Sequence, residues 1–295
     1  MTGETPIQIR TLGTMDEYHA CEEIQRLAWS TGDDEVVPAH MLLAISQKGG
    51  LLLGAFDAQS QPNDRGHRLV GFVMGLLALR EPLRPGSAPT DVLCHYSHML
   101  GVHPDWWGQG IGYRLKLAQR EAALAQGLTL ITWTFDPLER RNASLNFAKL
   151  GAVCRTYIAN LYGELRDGLN KGLPSDRFEV DWWLRSQRVE RRIAGERPDF
   201  DVLTRGIPIV NPATPGADGL SRPSAGAVTL AGKKLLVEVP ADFQALKQTD
   251  LSLARAWREK TRAIFQTAFA QGYSATEYLR QGERSYYLLA REAVA

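Results

Sequence analysis

The stretch His98-Met-Leu-Gly-Val-His-Pro-Asp-Trp-Trp-Gly-Gln-Gly-Ile-Gly-Tyr113 decides the fold of this chain. An extended apolar segment runs into a proline, then into a turn with glycine at 108, 110 and 112, then into a helix. Glycine has no Cβ, so such a turn can take positive φ and let a ligand lie directly against backbone N–H groups. At the start of a helix those amides have no carbonyl partner and the helix dipole adds partial positive charge. A phosphate or pyrophosphate is therefore the natural occupant. The plainer alternative is a strand-to-helix turn that needs glycine for packing alone.

Upstream, Ile7 to Leu12 forms a predicted strand, and Thr14-Met-Asp-Glu17 offers a capping box for a helix with Tyr18, Cys21, Ile24 and Ala28 on one face. Pro38 opens a second helix that Lys48-Gly-Gly50 stops. Leu51 to Phe56 and Leu69 to Leu79 are predicted strands around the polar loop Asp57 to His67. A loop with Pro82, Pro85 and Pro89 leads to the central strand, Val92 to Val102. Beyond the glycine turn, Ile111, Leu115, Ala118, Ala122 and Ala125 define a helical face, with Arg114, Gln119, Arg120 and Glu121 mostly outside it. Leu128 to Phe135 is nearly all apolar, as suits a strand parallel to its neighbour and covered on both sides.

A second motif follows: Asn142-Ala-Ser-Leu-Asn-Phe-Ala-Lys-Leu-Gly151. Ala152 to Tyr162 and Arg177 to Leu184 are predicted strands, and Arg185 to Arg197 a charged helix with a solvated face. Composition turns to Pro, Gly, Ser and Ala from Gly206 to Gly232. After that come a strand (Lys234 to Val239), a helix (Leu251 to Ala270, with Leu251, Ala254, Trp257, Thr261, Ile264 and Ala268 on one face) and two strands (Tyr273 to Leu279, Ser285 to Ala290). The organisation predicted is a first domain over 1–205, a Pro/Gly-rich linker or loop over 206–232, and a C-terminal strand-helix-strand extension over 233–295.

The chain has 295 residues, with 34 Lys plus Arg against 33 Asp plus Glu, so no charge excess calls for nucleic acid or an anionic membrane. No basic n-region precedes an apolar run and no stretch is long enough to span a bilayer, which leads us to expect a cytoplasmic protein. Cys21, Cys94 and Cys154 are odd in number and far apart, which fits reduced thiols, and no Cys-x-x-Cys pair calls for a metal.

The segment Leu100-Gly-Val-His-Pro-Asp-Trp-Trp-Gly-Gln-Gly-Ile-Gly112 resembles the coenzyme A pyrophosphate loop of the GNAT superfamily of N-acetyltransferases, Arg/Gln-x-x-Gly-x-Gly/Ala after an apolar strand. Trp107 stands where that pattern has Arg or Gln. Asn142 to Gly151 resembles the superfamily's next motif, a helix ending in Lys-Leu-Gly. The resemblance covers roughly Ile7 to Leu184. It implies an α/β fold with a central mixed sheet flanked by helices, carrying here a C-terminal α/β extension that echoes a degenerate half of the same fold.

The resemblance further implies an acyl-CoA-dependent N-acyltransferase moving an acetyl, succinyl or similar group from coenzyme A to an amine, with acyl-CoA as cosubstrate and no metal. On the matching positions, Leu100, Val102, Trp107, Gly108, Gln109, Gly110, Ile111, Gly112, Tyr113, Asn142 and Lys149 are the expected cofactor-binding residues. Asn142 is alternatively a helix N-terminal cap. Many relatives place a Tyr on the second motif helix as acid, where this chain has Phe147; the role is then vacant, taken by water, or moved to Tyr157 or Tyr162. His98, on the central strand, is the candidate base. His95 should point to the other face, against a His-His metal pair. Glu22 and Glu23 on the first helix are acidic candidates near acceptor entry, or surface residues. Arg155 and Arg177 could pair with a carboxylate, so the expected acceptor is a small-molecule amine, an amino acid above others. A homodimer is left open. Two rivals are a non-catalytic coenzyme A-binding or assembly module and a nicotinamide oxidoreductase, the latter drawn from Gly-x-Gly and Asp136.

Overall fold

The computed structural model describes residues 7–29, 32, 35–59, 68–80, 93–163, 172–226 and 228–291. The predicted loops bearing Pro82, Pro85 and Pro89 and most of Asp57 to His67 lie outside them. Two compact units result, one drawn from Met1–Trp133 and the other from Thr134–Leu165 and Asn170–Ala295.

The first unit begins with β1 (Ile7–Thr11) and α1 (Met15–Trp29). The predicted capping box forms: Thr14 Oγ1 accepts from Glu17 N at 3.3 Å, and Glu17 returns a bond from Thr14 N at 3.3 Å. Helix α2 (Ala39–Gln47) has proline, not a polar side chain, at its cap. Its first amide, Ala39 N, instead donates to Glu22 Oε1 at 2.6 Å. Burial alone would raise the Glu22 pKa, but that bond together with His19 and Arg26 outweighs it, and the net shift is downward. Glu22 thus serves α2, and Glu23 is simply exposed.

Strands β2 (Leu51–Asp57), β3 (Leu69–Leu79) and β4 (Leu93–Val102) extend β1 as an antiparallel run. Helix α3 (Ile111–Ala125) then crosses over to β5 (Leu130–Phe135), which lies parallel to β4. The sheet is mixed, with helices on both faces, as expected. Alternation along the strands sends Leu52, Phe56, Phe72 and Met74 to one face with Tyr18, Cys21, Ile24 and Leu42. Leu53, Ala55, Val70 and Val73 face the other way, onto Ile111 and Leu115.

The second unit carries α4 (Arg140–Ala143), which runs on as a π-helical segment, Ser144–Lys149. Its strands β6 (Val153–Ile158) and β7 (Arg177–Trp183) are joined by three late strands, β10 (Lys234–Val239), β11 (Ser274–Gln281) and β12 (Arg284–Ala290), in the order β7-β6-β11-β12-β10, all antiparallel. Between β7 and β10 lie α5 (Gln187–Ile193), α6 (Phe200–Thr204) and a two-residue hairpin, β8 (Thr214–Pro215) with β9 (Ser221–Arg222). Helices α7 (Phe243–Thr249) and α8 (Leu251–Ala270) precede β11.

The Pro/Gly-rich stretch is a loop laid along β10. Val210 N donates to Leu236 O, and Leu236 N to Pro208 O, both at 2.9 Å. The chain on both sides of it belongs to the same unit. Two helical faces differ from expectation. Leu251 is exposed, and α8 instead buries Leu253, Phe265 and Arg258. Arg188 and Arg192 of α5 leave the solvated face to hold Glu277 Oε1, at 2.8 and 2.6 Å.

Candidate active site

The glycine turn of the first unit is an open cradle of backbone donors. His103 caps a 3-10 turn, Pro104–Trp106, by accepting from Asp105 N at 3.3 Å. Trp107, half exposed, donates its indole N–H to the carbonyl of Val102 at 2.8 Å. Gly108 at φ 82° and Gly110 at φ 76° hold left-handed backbone, which a side chain would strain. Gly110 is the N-cap residue of α3, and the helix's first bond runs from Arg114 N to Gly110 O at 3.0 Å. The amides of Gly108 to Tyr113 precede that bond and have no backbone acceptor among the described residues.

No acidic residue occupies the first turn of α3. The helix dipole therefore acts on an anion there without opposition. A Cβ built at Gly108 or Gly110 would meet nothing within 4 Å, so the space beside the turn is open. At Gly112 an added Cβ would lie 3.4 Å from the Leu100 side chain, an ordinary contact. Gln109 is exposed and reaches Asp105 O at 3.4 Å. Ile111 is buried in the core, with the partly buried Leu100 and Val102 packed beside it. Tyr113 is half-buried.

Strand β4 carries a bulge. Gly75 pairs with Ser97 and Met74 with Met99, which leaves His98 as the extra residue. Its imidazole is exposed toward solvent, with the Tyr96 ring 5.8 Å away. Partial burial of the ring lowers its pKa, which favours the neutral, proton-accepting form. Pairing of β4 with β5 extends over His95↔Ile131 and Tyr96↔Thr132 alone among the described residues. From Ser97 to Gly101 that edge of β4 has no β5 ladder partner among the described residues, while the Val102 carbonyl accepts from Trp107.

His95 points away from His98, as expected, and is fully buried against α3. Sequence periodicity placed Gln119 outside the buried face of α3; the structure corrects this. Gln119 and Lys116 are both buried while Ala125 is exposed, because polar groups on β4 wait for them. Lys116 Nζ donates to Ser97 Oγ at 2.9 Å and to Gln119 Oε1 at 3.0 Å, and it lies 3.7 Å from the Trp133 ring centroid. Gln119 Nε2 lies 3.0 Å from His95 Nε2. The amide can only donate, so the imidazole is neutral, with its proton on Nδ1. Burial first, then the Lys116 charge, brings the His95 pKa down to about 3.

The second unit holds the remaining candidates. Asn142 is exposed inside α4, whose N-cap residue is Glu139, so the capping role does not fall to Asn142. Lys149 is exposed at the end of the π-helical segment. Phe147 is fully buried, packed edge-on to Phe135 and Tyr287, and has neither the chemistry nor the exposure of an acid. Tyr157 donates to Asp176 Oδ2 at 2.5 Å, and Arg262 binds the same carboxylate through two bonds of 2.8 Å. Burial and then Asp176 raise the Tyr157 pKa, so its proton is committed. Tyr162 lies past the end of β6 in a turn, is 44% exposed, and has its hydroxyl 3.1 Å from Thr134 Oγ1. It is the more available of the two phenols.

Arg155 is the bulged residue of β6, half exposed and 3.4 Å from Asp181. Arg177, opposite Ile158, is mostly buried, 3.9 Å from Asp136 and 5.3 Å from the Tyr162 ring. The two arginines stand about three ladder positions apart, roughly 10 Å along the strand. Asp136, which a dinucleotide reading would assign to a ribose, is buried and engaged on both oxygens by the equally buried Arg258. Nothing in the residue periodicity announced that pair, whose members are 122 positions apart. No cluster of His, Cys, Asp and Glu suited to a metal ion occurs among the described residues, and no described helix is long and apolar enough to cross a membrane.

No curated protein matches the chain. Among solved structures, the ribosomal-protein-S18-alanine N-acetyltransferase from Escherichia coli is similar over 61% of this chain and 96% of its own, at 14% identity and a TM-score of 0.44. Arabidopsis thaliana NAA60 in complex with acetyl-CoA is similar over 60% and 99%, at 15% identity and 0.44. The yncA protein of Salmonella typhimurium, with its cofactor acetyl-CoA, is similar over 61% and 95%, also at 15% and 0.44. The likeness is one of fold. A model of the acetyltransferase (GNAT) family matches residues 18–152, which takes in both sequence motifs. That stretch, a little under half of the chain, is where the match to the acetyltransferase (GNAT) family lies.

Proposed function

We propose that the protein transfers an acyl group, acetyl or a larger one such as succinyl, from coenzyme A to the amine of a small molecule, with an amino acid as the favoured acceptor. The observation that carries this reading is the run of unpaired amides from Gly108 to Tyr113 at the head of α3, beside space left open by two positive-φ glycines. That cradle suits a pyrophosphate. Acyl-CoA brings the thioester whose carbonyl is attacked.

The chain supplies the rest. His98, exposed on the bulge with its pKa lowered by desolvation, takes the proton from the acceptor ammonium, directly or through water. Backbone amides along the unpaired edge of β4 polarise the carbonyl. Tyr162, the exposed phenol, returns a proton to the departing thiolate. Arg155, whose guanidinium is half exposed, meets the carboxylate of the acceptor, while Arg177 shapes the surroundings of Tyr162. A second reading, coenzyme A binding without turnover, is favoured by Phe147 at the position of the usual acid. A screen of acyl donors crossed with amino acids and polyamines, followed by release of free coenzyme A, separates the two. Turnover with a free amino acid supports acyl transfer; acyl-CoA binding with no release for any acceptor supports the second reading.

A further inference from the structure

The proposed reaction leaves one built feature unused, the buried polar chain between α3 and β4. Lys116 is 3% exposed and Gln119 0%. They are spaced three apart, so they sit on one helix face, and they reach two residues of β4 that share a face, His95 and Ser97. Donation runs one way, from Lys116 to Gln119 to His95, while a second Lys116 proton goes to Ser97. Ser97 immediately precedes the bulged residue His98.

Across the ladder from Ser97 stands Gly75. A Cβ built there would lie 2.2 Å from His95 Nε2, so the imidazole fills the place a side chain would take. The bulge is therefore held on both strands: Ser97 is tethered to Lys116, and Gly75 is roofed by His95. Burying an ammonium-bearing side chain is costly unless specific contacts compensate, and an apolar residue would pack α3 onto the sheet at less expense. What the polar chain adds is direction. It fixes the rotation of α3, whose head carries the anion cradle, against the backbone next to His98.

We infer that Lys116, acting through Ser97, is a positioning residue for acyl transfer: it sets the backbone at the His98 bulge relative to the cradle at Gly108 to Tyr113. This rests on the acyl-transfer reading above. The test is steady-state kinetics of Lys116→Met, Ser97→Ala and the double variant with the best donor and acceptor, alongside thermal unfolding of each. Misplacement without loss of donor binding lowers kcat by about ten- to a hundredfold while the KM for acyl-CoA stays put. Because both residues act through one bond, the double variant should be no slower than the slower single variant. Ser97→Ala removes only a hydroxyl and serves alone if Lys116→Met fails to fold. Single variants with parental kcat and merely lower Tm, or losses that multiply in the double variant, overturn the positioning role and leave acyl transfer standing. A parent enzyme that releases no coenzyme A with any acceptor overturns the acyl-transfer reading, and this inference with it.

Discussion

The indole N–H of Trp107 donates to the carbonyl of Val102 at 2.8 Å, tying the glycine turn to the end of β4. The residue that replaces the Arg or Gln of the resembled loop thus works as a strut between loop and strand. Trp107→Phe keeps the ring and removes the bond. A neutral hydrogen bond is worth about 0.5–1.5 kcal/mol, so acyl-CoA affinity should fall by roughly two- to tenfold. Isothermal titration would show it; an unchanged affinity would mean the strut does not shape the cradle.

Neutral His95 links stability to pH. Its folded pKa is about 3, below the 6.5 of the free side chain, so the unfolded chain binds the extra proton first. Stability is then fully present above pH 6.5 and lost as pH falls toward the folded value, at about 1.4 kcal/mol per pH unit for one proton. Urea unfolding between pH 4.5 and 6.5 should show this slope in the parent and a flatter one in His95→Gln, which keeps an acceptor for Gln119. Equal slopes would contradict a buried neutral imidazole.

The two phenols should separate cleanly. Tyr162→Phe removes an exposed hydroxyl and should lower kcat by about a hundredfold or more if it supplies the leaving-group proton. Tyr157→Phe removes a bond to Asp176, which keeps Arg262, and should cost roughly 1–2 kcal/mol of stability with kcat largely retained. The opposite ranking in kcat would reassign the acid.

Arg155 and Arg177 should also part company. Arg155→Gln should raise the acceptor KM by about ten- to a hundredfold, as fits a lost charge-assisted bond of roughly 1.5–3 kcal/mol, with the donor KM unchanged. Arg177→Gln leaves Asp136 to Arg258 alone and should chiefly lower Tm. Decarboxylated amines reacting as well as amino acids would remove the case for a carboxylate partner.

What the sequence made legible was whatever depends on neighbours in the chain. The turn could be read because left-handed backbone at 108 and 110 needs glycine, and the capping box because Thr14 and Glu17 are three apart. Strand and helix order followed from periodicity. The inward-facing Lys116 and Gln119 were not legible, because their partners His95 and Ser97 come from another element and a lysine on a helix normally seeks water. Arg258 escaped for the same reason. The bulge at His98 is a property of pairing with β3 and leaves no mark in β4 itself. The Asn142 cap failed because α4 starts earlier, at Arg140, and continues as a π-helix that residue patterns do not signal.

The central claim is that the turn at the head of α3 holds coenzyme A, and Gly110→Val addresses it most directly. Valine at φ 76° strains the turn, and its side chain enters the open space beside the amides. Titration calorimetry with acetyl-CoA should give saturable one-to-one binding by the parent, little or none by Gly110→Val, and no comparable binding of nicotinamide dinucleotides. Equal acetyl-CoA binding by parent and variant would contradict the account.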